Sequence, residues 1–469
     1  MLIFEMDNFV IEEQVKGLSF VDDRLRQRYE VCLTGMQQKD YSQSFPNLVK
    51  DTYALKGFYR FINNTRVTQS TFIEGYRRGL ASYSKKIMEQ QGEWFLIHDT
   101  MYVEYNNREL DLGYTQDKDS NGLLLHHSLL LDNQHVPLGL LHQQVIQRNR
   151  EEFGKREMCK EKAIEDKESH KWIEGIKAGQ SFSEDTGRKL IHLLDREADI
   201  GEVINLFLKD QPAASGFIIR ARHDRSTLSH SQREKEEDVS LFRLFKQIAE
   251  SNNKTKISRV LRCKEGKPYE ADCWLRYAKY KFRGIEKEIT CVHLEEVAIG
   301  KESKMTGWYL LTNLPVTTFE QAEQVVELYT KRWAIEDFHK CYKTGCSIEK
   351  RQFDSKDPLC TVIGFLGLLA IQLLRSRYFA KVDPEASFEV VVTQKEAQEL
   401  ARKSARKYLK PIDLTIAQEG TMLWWILLLG RMGGHQGYKS KGLPGWQTLW
   451  KGLNYFNTLL EGYVMQASP

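Results

Sequence analysis

Apolar positions recur at helical spacing from Asp22 to about Tyr83, with turn signals at "SFPNL" (Ser44 to Leu48) and at Asn63 and Asn64. The period then changes. "EWFLIHDTMYVEY" (Glu93 to Tyr105) mixes apolar and β-branched residues, and "LLLHHSLLLD" (Leu123 to Asp132) and "GFIIRAR" (Gly216 to Arg222) are further strand candidates. "KLIHLLDREAD" (Lys189 to Asp199) holds a short apolar run that ends in an acid. Asn149 to Lys171, dense in Lys and Glu without apolar periodicity, reads as a surface loop or exposed helix. Alternating stretches between about His223 and Ser303 predict a β-rich insertion, and "GWYLLTNLP" (Gly307 to Pro315) predicts a strand returning to the main sheet. One long helix is expected over Phe319 to Lys343, and a mostly helical tail from Asp357 onward. The uncharged run Leu359 to Leu374 is shorter than the ~20 residues needed to span a bilayer and is expected to be a buried core helix. Strands mixed with helices, flanked by helical stretches at both ends, predict an α/β core with additions.

Composition narrows the class. The chain has 469 residues, 41% hydrophobic and 28% charged, in the range of ordinary globular domains and outside the collagen and disordered classes. Its eight cysteines include no Cys-x-x-Cys pair, so neither a zinc site nor a disulfide framework is indicated. Glu5, Asp7, Glu12 and Glu13 stand where a secretory signal would carry positive charge, and an intracellular, cytoplasmic location with no membrane partner is expected. The net charge of +4 is uninformative as a sum. Locally it is not. Between Lys50 and Lys86, eight basic residues face Asp51 and Glu74, and between Ala401 and Lys451 nine face Asp413 and Glu419. Each stretch is either a basic contact surface or a solvated helix face.

Asp99 follows the run Trp94 to Ile97 and Asp195 follows Ile191 to Leu194, which puts each at or near the carboxyl end of a predicted strand, where open α/β sheets place ligands. A turn or cap aspartate would occupy the same place. In "YTKRWAIEDFHKCYKTG", Tyr329, Arg332, Glu336 and Lys343 fall at intervals of 3, 4 and 7, one stripe of a single helix. That stripe is either an exposed ion-pair face or a functional one, and Trp333, Ile335 and Phe338 are expected to pack the helix against the body. Three converging carboxylates would suit hard divalent ions, which take oxygen ligands and, in pairs, clamp the attacking and leaving oxygens of a phosphoryl transfer. Arg332 and Lys343 could then hold phosphates.

These residues resemble the bacterial DDE transposases, most closely the insertion-sequence-four family with its Tyr-x2-Arg-x3-Glu-x6-Lys signature, which Tyr329, Arg332, Glu336 and Lys343 match without departure. "HDTMYVEY" and "DREADI" look like the two aspartate segments of that family, "FVDDRLRQR" and "GFYRFINN" resemble its N-terminal DNA-binding domain, and "GLPGWQTLWKG" is similar to its C-terminal pattern. The resemblance implies a helical DNA-binding domain over 1–83. A ribonuclease-H-like core would follow over 84–374 with a β-rich insertion at about 223–303, then a helical dimerisation or synapsis domain over 375–469. It implies Asp99, Asp195 and Glu336 as catalytic ligands of Mg²⁺ in a two-metal site, with Mn²⁺ as a substitute, and Tyr329, Arg332 and Lys343 as DNA contacts.

The implied chemistry is cut-and-paste. Water nicks one strand at the transposon end, the freed 3′-OH attacks the other strand to form a hairpin, water reopens it, and the 3′-OH joins target DNA. A hairpin requires a base to leave the stack; Trp308 matches the family's aromatic receptor, although a Trp in "GWYLLT" could equally be core packing. Arg220 and Arg222 alternate, so both are expected on one strand face, toward end DNA. Arg24, Arg28 and Arg60 are weaker DNA-contact candidates, for which plain surface positions remain open. The run Leu423 to Leu429, with Trp424 and Trp425, reads as core or as a dimer surface. His126 and His127, adjacent on a strand, face opposite sides and are assigned no role, and His98 is expected to be a packed or hydrogen-bonded histidine. The partners implied are double-stranded DNA and a second copy of the chain. Two rivals share parts of the pattern: a ribonuclease-H-like nuclease without strand transfer, and a catalytically silent DNA-binding regulator.

Overall fold

The computed structural model describes residues 2–36, 42–49, 51–87, 92–105, 110–155, 162–209, 215–227, 240–250, 254–262, 268–297, 307–392, 394–437 and 443–467. The chain forms two compact units with interleaved segments. One comprises Met1–Gln91, Thr100–Lys155 and Ala334–Pro469, the other Gly92–Asp99 and Arg156–Trp333.

In the first unit, five helices open the chain: α1 (Leu2–Lys16), α2 (Asp23–Met36), α3 (Phe45–Leu48), α4 (Thr52–Ile62) and α5 (Gln69–Lys86). The turn signal at Ser44 is itself helical, because Pro46 sits in the first turn of α3, where its missing N–H costs nothing. Asp51 caps α4 by accepting from the Ala54 amide, and Thr68 opens α5 with a capping box to Thr71. Sequence patterning gives no sign of α1, which is held to α5 by charge: Glu13, 2% exposed, accepts from Lys86 at 2.7 Å, Ser82 at 2.7 Å and Lys16 at 3.1 Å. Strands β2 (Gly122–Leu131) and β3 (Pro137–Ile146) pair antiparallel beside the distal half of β1 (Trp94–Glu104).

The apolar run at Leu359 to Leu374 lies within a long helix (Lys356–Val382) that is buried against α4, α5 and β3. By length and composition this helix could cross a membrane, but most of its apolar stretch is covered by protein, as a core helix requires. The tail is helical, and Leu423 to Leu429 is core: Trp424 and Trp425 are 1% and 4% exposed and pack on Phe388 and Phe456. Of the two readings of this run, the core one therefore describes these side chains within the chain itself. Arg431, counted among the basic residues of the tail, is buried in a bidentate pair with Asp413 at 2.8 Å. Arg402 is paired with Glu389, and Lys50, Lys439 and Lys441 lie outside the described residues. Of the basic residues between Ala401 and Lys451, Arg402 and Arg431 are thus engaged within the fold.

The second unit is built on a sheet with strand order β1-β4-β5-β9-β8-β7-β6, where β4 is Leu190–Leu194, β5 Gly216–Arg220, β6 Thr255–Arg262, β7 Pro268–Tyr280, β8 Ile289–Glu296 and β9 Trp308–Thr312. β1, β4 and β5 are parallel, and the remaining neighbours are antiparallel. The region His223 to Ser303 contains the meander β6-β7-β8, and also a helix, Leu241–Glu250, whose Leu244 and Phe245 complete an apolar cluster with Phe217, Ile219 and Leu311. His98 and His192 lie buried in the sheet, ring against ring, with Nε2 and Nδ1 2.9 Å apart.

The long helix expected over Phe319 to Lys343 is three pieces. One helix spans Phe319–Thr330, a second spans Trp333–Lys340, and a π-turn follows at Cys341–Gly345, closed by the Cys346 amide on the Cys341 carbonyl at 2.9 Å. The break at Lys331 and Arg332 is made of short-range bonds, Lys331 N–H to Leu328 O and Arg332 N–H to Tyr329 O. Tyr329, Arg332, Glu336 and Lys343 therefore do not share one helical stripe. Ile335 and Phe338 are buried as expected, but Trp333 is 51% exposed.

The Glu13 cluster yields a pH prediction. Burial raises the carboxyl, but hydrogen bonds from Lys86, Ser82 and Lys16 outweigh it and hold the group at about 2, below its ordinary 4.5. Its contribution is therefore complete above about pH 4.5 and lost as the pH falls toward 2. Glu13→Gln is expected to lower the urea midpoint at pH 7 and to narrow the loss between pH 7 and pH 3; an equal acid loss in both proteins would contradict the assignment.

Candidate active site

The two aspartates are set by strand register. β1 pairs with β4 from Trp94↔Leu190 through His98↔Leu194, so Asp99 and Asp195 each follow the last paired residue of the ladder. Neighbouring strands lie about 4.8 Å apart, so the two aspartates leave the ladder on adjacent chains. Asp99 is not at the end of its strand, since β1 continues to Glu104; it stands where the ladder with β4 stops. Asp195 follows the last residue of β4 with extended backbone and precedes a 3-10 turn, Arg196–Ala198.

Around this pair the second unit gathers cations and rings. Arg332 Nη1 lies 3.4 Å from Asp99 Oδ2, and both side chains are largely buried. Tyr329 is 3% exposed, and its hydroxyl has no hydrogen-bond partner among the described residues. Burial pushes its phenol up; Arg332 and Arg220 oppose this, while Asp195 and Asp99 add to it, which places all five groups within electrostatic reach. The Tyr329 ring meets Trp308 edge-on at 5.3 Å, and the Arg220 guanidinium lies 6.0 Å from the Trp308 ring. Trp308 opens β9, antiparallel to β5, so it stands at the same sheet edge as Arg220 at the end of β5. It is half-buried, not core. Burial lowers the Arg220 guanidinium from its usual value. The alternation argument fails for Arg222: β5 ends at Arg220, and Arg222 is an exposed loop residue whose amide donates to Asp199.

The remaining candidates lie in the first unit. Glu336 is in the first turn of the helix Trp333–Lys340, partly exposed. Lys343, in the π-turn, is paired with Glu349 at 3.1 Å. Arg24 forms a two-pronged pair with Asp22 and pulls that carboxyl to about 2, Arg28 lies against Gly57 where a side chain would collide with it, and Arg60 is exposed. His127 is buried, accepts from Gln143 and meets His339 at 3.2 Å; His126 meets Thr100 at 3.0 Å. Sequence reasoning missed Asp199 and Arg225, whose contact across 26 residues leaves no local signature.

Among the described residues, no three His, Cys, Asp or Glu side chains are gathered closely enough to hold a metal. The two aspartates have the donor chemistry that a hard divalent cation takes, carboxylate oxygens.

The family comparisons agree with this chemistry. Residues 7–67 match the family model for transposase DNA-binding, and residues 211–366 match that for the transposase DDE domain. Together they support an enzyme that acts on DNA. More particularly, they support a DDE transposase, and the mixed α/β architecture with its large sheet is consistent with one. DDE domains generally use divalent metals. The DDE match encloses Arg220, Arg222, Trp308, Tyr329, Arg332, Glu336 and Lys343, while Asp99 and Asp195 precede it.

Because the Tyr329 hydroxyl is buried without a partner, Tyr329→Phe is expected to leave the melting temperature unchanged or raise it. A clear drop in thermal unfolding would mean that the hydroxyl is satisfied.

Proposed function

We propose that the protein is a cut-and-paste DNA transposase of the insertion-sequence-four family, acting in the cytoplasm on the ends of its own element. The observation that carries this reading is the gathering of Asp99 and Asp195 within electrostatic reach of Tyr329, beside Arg332, Arg220 and Trp308. The proposed organisation is a DNA-binding domain over 1–83, a ribonuclease-H-like core over 84–374 with its insertion at about 223–303, and a dimerisation domain over 375–469.

In the proposed mechanism, Asp99, Asp195 and Glu336 are the residues that would hold Mg²⁺, or Mn²⁺ in its place, as a two-ion site. When present, the ions lower the cost of developing charge on the attacking and leaving oxygens. The chain's own groups supply positioning. Arg332 is poised beside Asp99 to meet a phosphate, and Lys343 exchanges Glu349 for a second one. Tyr329 and Arg220 line the approach to Trp308, whose half-buried ring can take a base out of the stack, as the tight hairpin bend requires. Water would cleave the first strand, releasing a 3′-OH, and that hydroxyl would attack the phosphorus of the opposite strand, forming the hairpin's 3′-to-5′ phosphodiester and expelling the 3′ oxygen of the flanking DNA. A second water reopens it, and the same 3′-OH then attacks target DNA. Arg220 and Arg222, with Arg24, Arg28 and Arg60, would grip the end DNA, and two copies of the chain would pair two ends.

The test combines labelled duplexes carrying the terminal repeats that flank the coding sequence, a supercoiled target plasmid and Mg²⁺. Joined product is expected with the native chain and none with Asp99→Ala, Asp195→Ala or Glu336→Ala. Cleavage without joining would make the protein a nuclease, and binding alone a regulator. Trp308→Ala is expected to slow hairpin formation more than first-strand nicking on a denaturing gel; equal slowing of the two would remove the base-receiving role.

A further inference from the structure

The sheet positions Asp195 only from one side. The ladders of β4 end at His98↔Leu194 and Leu194↔Ile219, so beyond Leu194 no strand pairing restrains the chain that carries the aspartate. Another device does. Asp199 is 1% exposed, and all of its acceptor capacity is directed at the loop that follows β5. Its Oδ2 accepts from the Arg222 amide at 2.8 Å and the His223 amide at 2.9 Å, and its Oδ1 takes Arg225 Nε at 2.9 Å and Nη2 at 2.6 Å. Arg225 Nη2 also donates to the Asp199 carbonyl at 2.9 Å.

We infer that Asp199 is a positioning residue of the candidate active site: with Arg225 it locks the turn carrying Asp195 to the loop carrying Arg222, so that both reach the sheet edge as one piece. This rests on the transposase reading for the identity of the reaction, though not for the geometry. The turn between the two acids is compact, with Ala198 N–H on Asp195 O at 3.0 Å and Ala198 fully buried. Glu197 adds a second tie, to Lys171 at 3.8 Å. The turn is thus pinned by core, by ion pair and by two backbone amides. Arg220 precedes the locked loop by one residue and lies within electrostatic reach of Asp195 and Tyr329. A buried carboxylate with every lone pair engaged is costly to disturb, because removing one partner leaves the other charge unpaired. The same rigidity keeps Asp195 from drifting when it must hold a cation.

Asp199→Asn keeps the shape and removes the charge. Two readouts apply to the full-length protein. In the metal-free state, amide hydrogen exchange is expected to quicken together in residues 196–204 and 218–225, the two segments that the carboxylate joins. In nicking assays on terminal-repeat duplex, the Mg²⁺ concentration giving half the maximal rate is expected to rise about 10-fold or more, the range seen when supports of metal ligands are lost. Excess Mg²⁺ should recover part of the rate. Should Asp199→Asn not fold, Arg225→Lys, which keeps the charge but not the fork, is expected to shift the same midpoint in the same direction. An unchanged Mg²⁺ midpoint in whichever variant folds, or exchange quickened in one segment alone, would overturn the inference. A native chain that shows no Mg²⁺-dependent nicking would instead sink the transposase reading and leave the exchange result to decide the geometry.

Discussion

The parallel pairing of β1 with β4 is the constraint on which the candidate site depends. Because side chains alternate along a strand, slipping this register by one residue would turn an aspartate to the opposite face and bring a histidine in its place. The slip is opposed from behind: His98 and His192 interlock there, and Trp94, Leu96, Leu190 and Leu194 are all fully buried. A large apolar investment on the other face holds in place the strands that carry the two aspartates. That is the ordinary way a fold supports groups that would otherwise repel.

Charge arrangement follows from the same frame. The edge at which the β1–β4 ladder stops, β4 and β5 end and β9 begins receives two carboxylates, two guanidinium groups, a buried phenol and an indole. The carboxylates suit cations, the guanidinium groups suit phosphate and the indole suits a base, so the edge offers complementary groups to metal and nucleic acid at once. None of this needs a basic protein as a whole. Several of the basic residues are already paired within the fold, Arg24 with Asp22, Arg402 with Glu389 and Arg431 with Asp413. Net charge is a poor guide to where DNA would lie.

Much of the architecture is legible in the sequence because buried strands read as unbroken apolar runs and the core helix as a longer one. The strands around Trp94, Leu123, Leu190, Gly216 and Trp308 all stand where their patterns predict, and the packed state of His98 follows from its position inside such a run. What escapes is whatever depends on pairing at a distance. The helix from Phe319 reads as continuous because its period persists through Lys331 and Arg332, yet it breaks there, where Arg332 meets Asp99, 233 residues away. Helix α1 is tied to α5 by an ion pair from Lys86 to Glu13, and Asp199 finds Arg225 across a helix (Gly201–Leu208) and β5. The Trp424 region reads equally as core or interface, since an all-round apolar helix says only that it is covered, not by what.

The most direct test of the central claim is anomalous diffraction from crystals of the protein with terminal-repeat DNA and Mn²⁺. The account predicts an anomalous peak in contact with carboxylate oxygens of both Asp99 and Asp195, absent in crystals of Asp195→Ala. A manganese site held by other residues, with the two aspartates free of metal, would contradict it.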